Sequence, residues 1–245
     1  ELDRQGPDEG TQYRSSIFYA DADQQKIAGG CAVLLLGLAI GQTIHHADAG
    51  VPIPDPAVDA PLASSSGKQT AVLAGGCFWG MQLVFEHLKG VEHVTAGYSG
   101  GEASTAEYEV VSSGTTGHAE SVQIEFDPSK VTYGEILKVY FSVAHNPTEL
   151  DRQGPDEGTQ YRSSIFYADA DQQKIAEAYI AQLNAAGNYP SPIVTKVVPL
   201  KAFYPAEDYH QDYAVHNPYS PYIMINDAPK LGDFKSELPA LYVEK

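Results

Sequence analysis

The sequence predicts an α/β or α+β domain, a sheet covered by helices of unequal length. Three observations carry that expectation. Short apolar runs, closed by glycine or Asp-Pro, alternate with segments of helical period. Residues 120–128, ESVQIEFDP, alternate strictly, as a strand with one buried face does. Residues 132–145, TYGEILKVYFSVAH, open with Thr132 and Glu135, a capping box, and then carry Ile136, Leu137, Val139, Tyr140 and Val143.

The elements follow in chain order. Residues 70–75, TAVLAG, form a short apolar strand ending at Gly-Gly. Residues 77–89 fit a helix, with Phe78, Met81, Val84, Phe85 and Leu88 at helical spacing and Gly90 at the stop. Residues 93–101, HVTAGYSGG, read as a strand running into a glycine turn. After the strand at 120–128 and the helix at 132–145, residues 161–168, YRSSIFYA, are strand-like. Residues 170–187 form a helix with Gly187 at its stop, and 193–200, IVTKVVPL, another strand. The following tail, FYPAEDYHQDYAVHNPYSPYIMIN, is rich in Tyr, Pro and His.

Composition excludes several classes of function. The 245 residues suit one or two domains, and 43% apolar content is ordinary for a chain that buries a core. A net charge of −17, with no Lys/Arg cluster, opposes binding to nucleic acid or anionic lipid. Two cysteines cannot form a disulfide scaffold. The eight histidines are scattered without HxxxH, HExxH or CxxC spacing, so no metal is expected.

The chain contains an internal duplication. Residues 1–28 recur without a substitution as residues 149–176. Such identity, at a period that fits no solenoid, reads as a recent duplication or an assembly artefact. The copy at 149–176 is continuous with its context and is taken as the folded one. Residues 1–28 are expected to be redundant and poorly ordered, because their docking site is filled by the twin. Residues 31–41, CAVLLLGLAIG, are too short to span a bilayer but have the length of a signal-peptide core, and Ala47-Asp48-Ala49 offers a cleavage site. Residues 29–49 are therefore read as a signal-peptide remnant, with a buried apolar segment as the alternative. Export to the periplasm or envelope follows from the first reading and a cytoplasmic location from the second. Residues 50–68 are rich in Pro, Ala and Ser and read as a linker that buries little. The folded domain is expected over 69–245.

Cys77 is the residue that raises chemistry. It lies between Gly75-Gly76 and Phe78-Trp79, where a strand gives way to a helix, beside the chain's one tryptophan. Free amides and the positive end of the helix dipole there favour the thiolate. The plainer alternative is a small core hydrophobe. Glu120 shares the parity of Val122, Ile124 and Phe126, so a strand regular from 120 points it towards the core. A carboxyl in that position stays protonated near neutrality and is a candidate general acid. If the strand begins later, Glu120 is solvated. A Cys hydrolase would need a histidine base; His118 and His210 are available, with nothing nearby marking either.

Five motifs in order extend this reading: GGCFWG (75–80), GYSGG (97–101), GHAESVQIEFDP (117–128), RQGPDEGTQYRSSIF (152–166) and AEDYHQDY (206–213). Together they resemble the methionine sulfoxide reductase A family over about residues 70–222. The resemblance implies a two-layer sandwich around a central mixed sheet flanked by helices, with a ferredoxin-like core. It implies that Cys77 attacks the sulfoxide sulfur and passes through a sulfenic acid. By the same resemblance Phe78 and Trp79 wall the methyl group, Glu120 protonates the oxygen, and Tyr108 and Tyr161 donate hydroxyls to it. Asp156, His210 and Tyr213 match further positions near the site. The substrate implied is the S epimer of methionine sulfoxide, free or in proteins, reduced by a monomeric repair enzyme with no bound cofactor and no metal. The chain departs from many relatives in having no cysteine after Cys77; NPYSPYIMIN stands where one would be expected. Recycling then falls to an external thiol, a thioredoxin-like protein or a small thiol.

Overall fold

The computed structural model describes residues 50–245. The duplicate at 1–28, the apolar run at 31–41 with Cys31 and the cleavage site at 47–49 lie outside the described residues. The domain is an α+β fold built on a mixed six-stranded sheet.

Strand β1 (Gln69–Ala74) feeds helix α1 (Phe78–Glu86), which returns to β2 (Val91–Ser99). A single helical turn, α2 (Tyr108–Val111), precedes β3 (Ala119–Phe126) and helix α3 (Tyr133–Val139). A small hairpin, β4 (Arg152–Gln153) and β5 (Asp156–Glu157), leads to β6 (Ser164–Tyr167), helix α4 (Ala170–Ala186), β7 (Lys196–Pro199) and β8 (Phe203–Pro205). The C-terminal region adds a turn, α5 (Tyr213–His216), and helix α6 (Ala228–Glu237). The sheet order is β7-β6-β1-β3-β2-β8, with β6 and β7 parallel and the other pairs antiparallel. Its inner strands, β6-β1-β3-β2, with α1 and α3 as crossovers, make the ferredoxin-like arrangement.

Alternation along the strands sets the layers. Ala71 and Leu73 of β1, with Val122, Ile124 and Phe126 of β3, pack into one large core with Met81, Phe85, Ile136, Leu137 and Tyr179 of the helices. Val72, Ala74 and Phe166 turn to the other face, where they form a small cluster with partly buried Val198, Leu200 and Phe203. Helices on a single face give the two layers.

Local signals explain most boundaries. The Thr132 hydroxyl accepts from Glu135 N at 3.1 Å while Glu135 accepts from Thr132 N at 2.8 Å, completing the capping box. Gly187, at φ 66°, closes α4 in the left-handed region that favours glycine. The helix expected over 132–145 ends as α-helix at Val139 and continues as one π-turn, Tyr140–Ala144. Tyr140 uses that turn to donate to Ala74 O at 2.7 Å under the strand end that leads to Cys77. The strand expected from 161 begins at Ser164, and Tyr161 closes a preceding 3-10 turn.

The stretch 50–68 corrects one expectation. It has no regular ladder, but it is bound along the helical layer and does not hang free. Ile53 is buried, Val51 exchanges bonds with Ser142, and Tyr179 donates to Pro54 O at 2.7 Å. Asp59 accepts from Gly134 N at 2.9 Å and from the Thr132 hydroxyl at 2.5 Å, adding a carboxylate at the start of α3. Composition predicted the absence of strands; side-chain and carbonyl bonds supply the docking instead.

Candidate active site

The geometry begins at the junction of β1 and α1. Gly76 has φ 91°, and a Cβ there would lie 2.6 Å from Gln153 Cβ, so both the turn and the loop crossing it require glycine. Cys77 caps α1 from outside the helix, at φ −55° and ψ 125°. Its sulfur accepts the Trp79 N–H, while Phe78 N donates to Glu120 Oε2 at 3.1 Å. One free helix end thus holds both the thiol and the acid.

The thiolate expectation is corrected for the resting site. Burial pushes the Cys77 thiol well above its ordinary value, the carboxyls of Glu120, Asp227 and Asp156 push the same way, and the Trp79 amide opposes them. Loss of water outweighs the partial charge of a nine-residue helix, so the group rests as a neutral thiol.

Glu120 behaves as its parity predicts. It pairs opposite Tyr98 of β2, points to the helical face and is 3% exposed. Burial pushes its carboxyl up to about 8; the Phe78 amide opposes the shift, and Asp156 and Asp227 add to it. With Oε2 held by the amide, a protonated carboxyl presents its O–H from Oε1. Tyr108, first residue of α2, and Tyr161 both have hydroxyls raised by burial and next by the Glu120 charge, so they remain O–H donors at neutral pH. The charges of Glu120 and Cys77 both act on the two hydroxyls, so the tyrosines lie in the neighbourhood of the acid and the thiol.

An aromatic wall stands beside them. The Trp79 ring stacks on Tyr213, centroids 3.8 Å apart and planes at 14°, and Tyr222 meets it edge-on at 5.9 Å. Trp79 Nε1 donates to His210 Nδ1 at 3.2 Å. His210 lies 5.0 Å from the Phe78 ring and 4.4 Å from the Tyr108 ring. Burial holds His210 down to about 4, against the pull of Glu207, so the imidazole is neutral with its proton on Nε2. His118 is occupied elsewhere, between Gly101 N at 3.2 Å and Glu102 O at 3.0 Å. Neither histidine is therefore arranged as a base for Cys77.

All nine residues singled out in the sequence converge: Cys77, Phe78, Trp79, Tyr108, Glu120, Asp156, Tyr161, His210 and Tyr213. Asp156 on β5 has its carboxyl raised by burial, against a hydrogen bond donated by the Tyr222 hydroxyl. Sequence reasoning missed Tyr222, Asp227 and Lys230. Asp227 is 1% exposed and paired to Lys230 at 3.1 Å. It sits so close over the first turn of α1 that a Cβ on Gly80 would lie 2.0 Å from Asp227 Oδ1. The i,i+3 spacing of Asp227 and Lys230 was the available signal. A cleft of about 220 Å³ reaches the sulfur between Gln153, Asp156, Tyr189, Tyr222 and Lys230. Among the described residues, no group of His, Cys, Asp and Glu is placed to hold a metal ion.

Chemically, the arrangement suits a small polar oxygen carried by an apolar group. Neutral O–H donors meet the oxygen, aromatic faces meet the carbon, and a thiol lies alongside.

Comparison with known proteins agrees with that reading. The family model described as peptide methionine sulfoxide reductase matches residues 1–33 and 69–240. The chain is 58% identical over 182 residues to peptide methionine sulfoxide reductase MsrA 2 of Mesorhizobium japonicum, covering 74% of this chain and 93% of that protein. It is 48% identical over 204 residues to MsrA 2 of Synechocystis sp., covering 82% and 95%. Among solved structures, methionine sulfoxide reductase A of Corynebacterium diphtheriae matches with TM-score 0.55 and 35% identity, covering 72% of this chain and 92% of that one. Reduced Mxr1 of Saccharomyces cerevisiae matches with TM-score 0.56 and 31% identity, covering 66% and 94%.

Proposed function

The chain belongs to the peptide methionine sulfoxide reductase family, and we propose that Cys77 and Glu120 carry its reaction. It is an oxidoreductase that reduces methionine sulfoxide to methionine. The observation that bears most weight is the buried Glu120 carboxyl, held by the Phe78 amide on the same helix end as Cys77, where burial raises it.

The substrate methyl lies against Phe78 and Trp79, and its oxygen accepts from Glu120, Tyr108 and Tyr161. Sulfoxide oxygen leaves sulfur poorly until it is protonated. Glu120 supplies that proton as the Cys77 sulfur attacks, and the thiol proton restores Glu120. Oxygen passes to Cys77, giving a sulfenic acid and a thioether, so atoms and electrons balance. The one-sided placement of oxygen donors and methyl wall suits a single epimer, and the family resemblance makes it the S form. Asp156 lines the cleft at Cys77 and is available to a substrate amide, while His210 and Tyr213 pack on Phe78 and Trp79.

Cys77 is the free cysteine among the described residues, and no cysteine follows it in the sequence. The sulfenic acid is then reduced by an external thiol, thioredoxin-like or small, in two steps: a mixed disulfide with loss of water, then release by a second thiol. The apolar run at 31–41 supports export, which would direct a monomeric enzyme to repair of oxidised proteins outside the cytoplasm.

Intact mass after one turnover, with a sulfenic-acid trap, tests this. One adduct on Cys77 is expected, with no activity in Cys77→Ser. Turnover in Cys77→Ser, or an adduct elsewhere, would refute it.

A further inference from the structure

The cleft of about 220 Å³ at Cys77 is not the oxygen-binding side of the site. Phe78, Trp79, Tyr108, Glu120 and Tyr161 take no part in its lining. It runs instead among Gln153, Asp156, Tyr189, Tyr222, Asn226 and Lys230. Cys77 is therefore reached along a path that the oxygen donors do not share. Recycling needs such a path. Sulfoxide reduction leaves the sulfenic oxygen among Glu120, Tyr108 and Tyr161. A thiolate displaces that oxygen by attacking sulfur in line with the S–O bond, from the side away from the oxygen. The incoming thiol thus arrives where the donors are not.

Charge is the difficulty on that path. The attacking form is the thiolate, and the lining carries the carboxyls of Glu149, Asp156 and Asp233. Burial holds His145 down to about 3, so its imidazole adds no positive charge. Among the described residues of the lining, Lys230 is then the one cation. Its place is fixed. Lys230 Nζ donates to Asp227 Oδ1 at 3.1 Å, and a Cβ on Gly80 would lie 2.8 Å from Nζ. The ammonium therefore sits over the first turn of α1, which begins beside Cys77. The Lys230 side chain is 22% exposed and that of Asp227 1%, so the pair keeps its carboxylate behind and turns its positive end to the cleft. An ammonium has three N–H donors, and Asp227 takes one.

We propose that this cleft is the binding site of the reducing thiol, a small-molecule thiol, and that Lys230 receives it as the thiolate. The proposal rests on external recycling of a Cys77 sulfenic acid. The thiolate forms an S–S bond to Cys77 as the S–O bond breaks, and Glu120 gives the proton with which the oxygen leaves as water. The thiol's own proton passes to solvent, from which Glu120 recovers one. A second thiol then releases Cys77 as a thiol and carries away the disulfide, so the sulfenic acid is reduced and two thiols are oxidised.

The two half-reactions separate this role from a structural one. Sulfenic acid is formed with one equivalent of methionine sulfoxide and no thiol, and its yield is timed. It is then mixed with 2-mercaptoethanol or with anionic mercaptoacetate, and the mixed disulfide is timed by intact mass. Lys230→Met is expected to slow mixed-disulfide formation about tenfold more than it slows sulfenic acid formation, with the larger effect for mercaptoacetate. Added salt should slow the mercaptoacetate reaction of the native enzyme more than that of the variant. Lys230→Arg should restore most of the rate. If the unpaired Asp227 prevents folding, Asp227→Asn with Lys230→Met removes both charges together and should show the same selective slowing. Equal slowing of the two steps, no slowing, or a loss that Lys230→Arg does not relieve overturns the proposal. A failed Cys77 assignment shows itself differently, as methionine formed with no sulfenic acid on Cys77.

Discussion

The two walls of the active site are built in different ways. Cys77, Phe78 and Glu120 stand where β1, α1 and β3 meet, and continuous backbone ladders fix them. His210, Tyr213 and Tyr222 stand on a tail of short turns held by side chains. Gln211 brackets Ala96 with bonds of 2.9 and 3.0 Å, and Glu207 accepts from Tyr108 N at 2.8 Å and Tyr98 Oη at 2.9 Å. Tyr222 reaches Asp156. The groups that move protons thus sit on the stiffest part of the fold. The residues that back the Trp79 face of the methyl wall sit on a part whose bonds are worth about 1 kcal/mol each and are individually replaceable. Geometry at the reacting atoms tolerates little error, whereas a binding wall can adjust.

The sharpest test on the rigid side is Glu120→Gln. Removing the acid is expected to lower kcat about 10²- to 10⁴-fold with little change in KM. Activity of the native enzyme should fall as pH rises through about 8, because the protonated carboxyl is the working form; Glu120→Gln should lose that limb. The same group opposes folding at high pH. Its raised value means that stability present at low pH is lost as pH rises from the ordinary carboxylate range to about 8. Thermal melts should therefore show Glu120→Gln gaining on the native protein towards alkaline pH. A kcat loss under tenfold would place the proton source elsewhere.

On the tail side, Tyr213→Ala removes the ring stacked on Trp79. Such pairs contribute about 0.5–1.5 kcal/mol, so KM should rise about two- to tenfold with kcat nearly unchanged. A fall in kcat as large as that of Glu120→Gln would erase the distinction between the walls.

The smallest effect is expected away from both. Asp59→Ala strips the carboxylate that receives Thr132 and Gly134 at the start of α3. Chemical denaturation should show a loss of about 1–2 kcal/mol, with unaltered kcat and KM. An activity change there would mean that residues 50–68 reach the site.

Some of this was written locally. Strict alternation fixed the face of Glu120, because a strand has period two whatever surrounds it. The capping box and Gly187 fixed two helix ends, because their bonds close within a few residues. Eight of the nine site residues lay in the five motifs, which the tertiary structure gathers together; Tyr108 stands outside them.

Other features depended on groups far apart in the chain. The ionisation of Cys77 could not be read beside its helix start, because burial and three distant carboxyls outweigh the local dipole. Residues 50–68 looked like free chain, because their partners, Ser142, Gly134 and Tyr179, lie far along the sequence. Asp227 over Gly80 and Gln82 bonded to Asp212 likewise exist only once the tail folds back on α1. Sequence determines what repeats locally; desolvation and long-range charge are properties of the packed molecule, and the tertiary structure decided them.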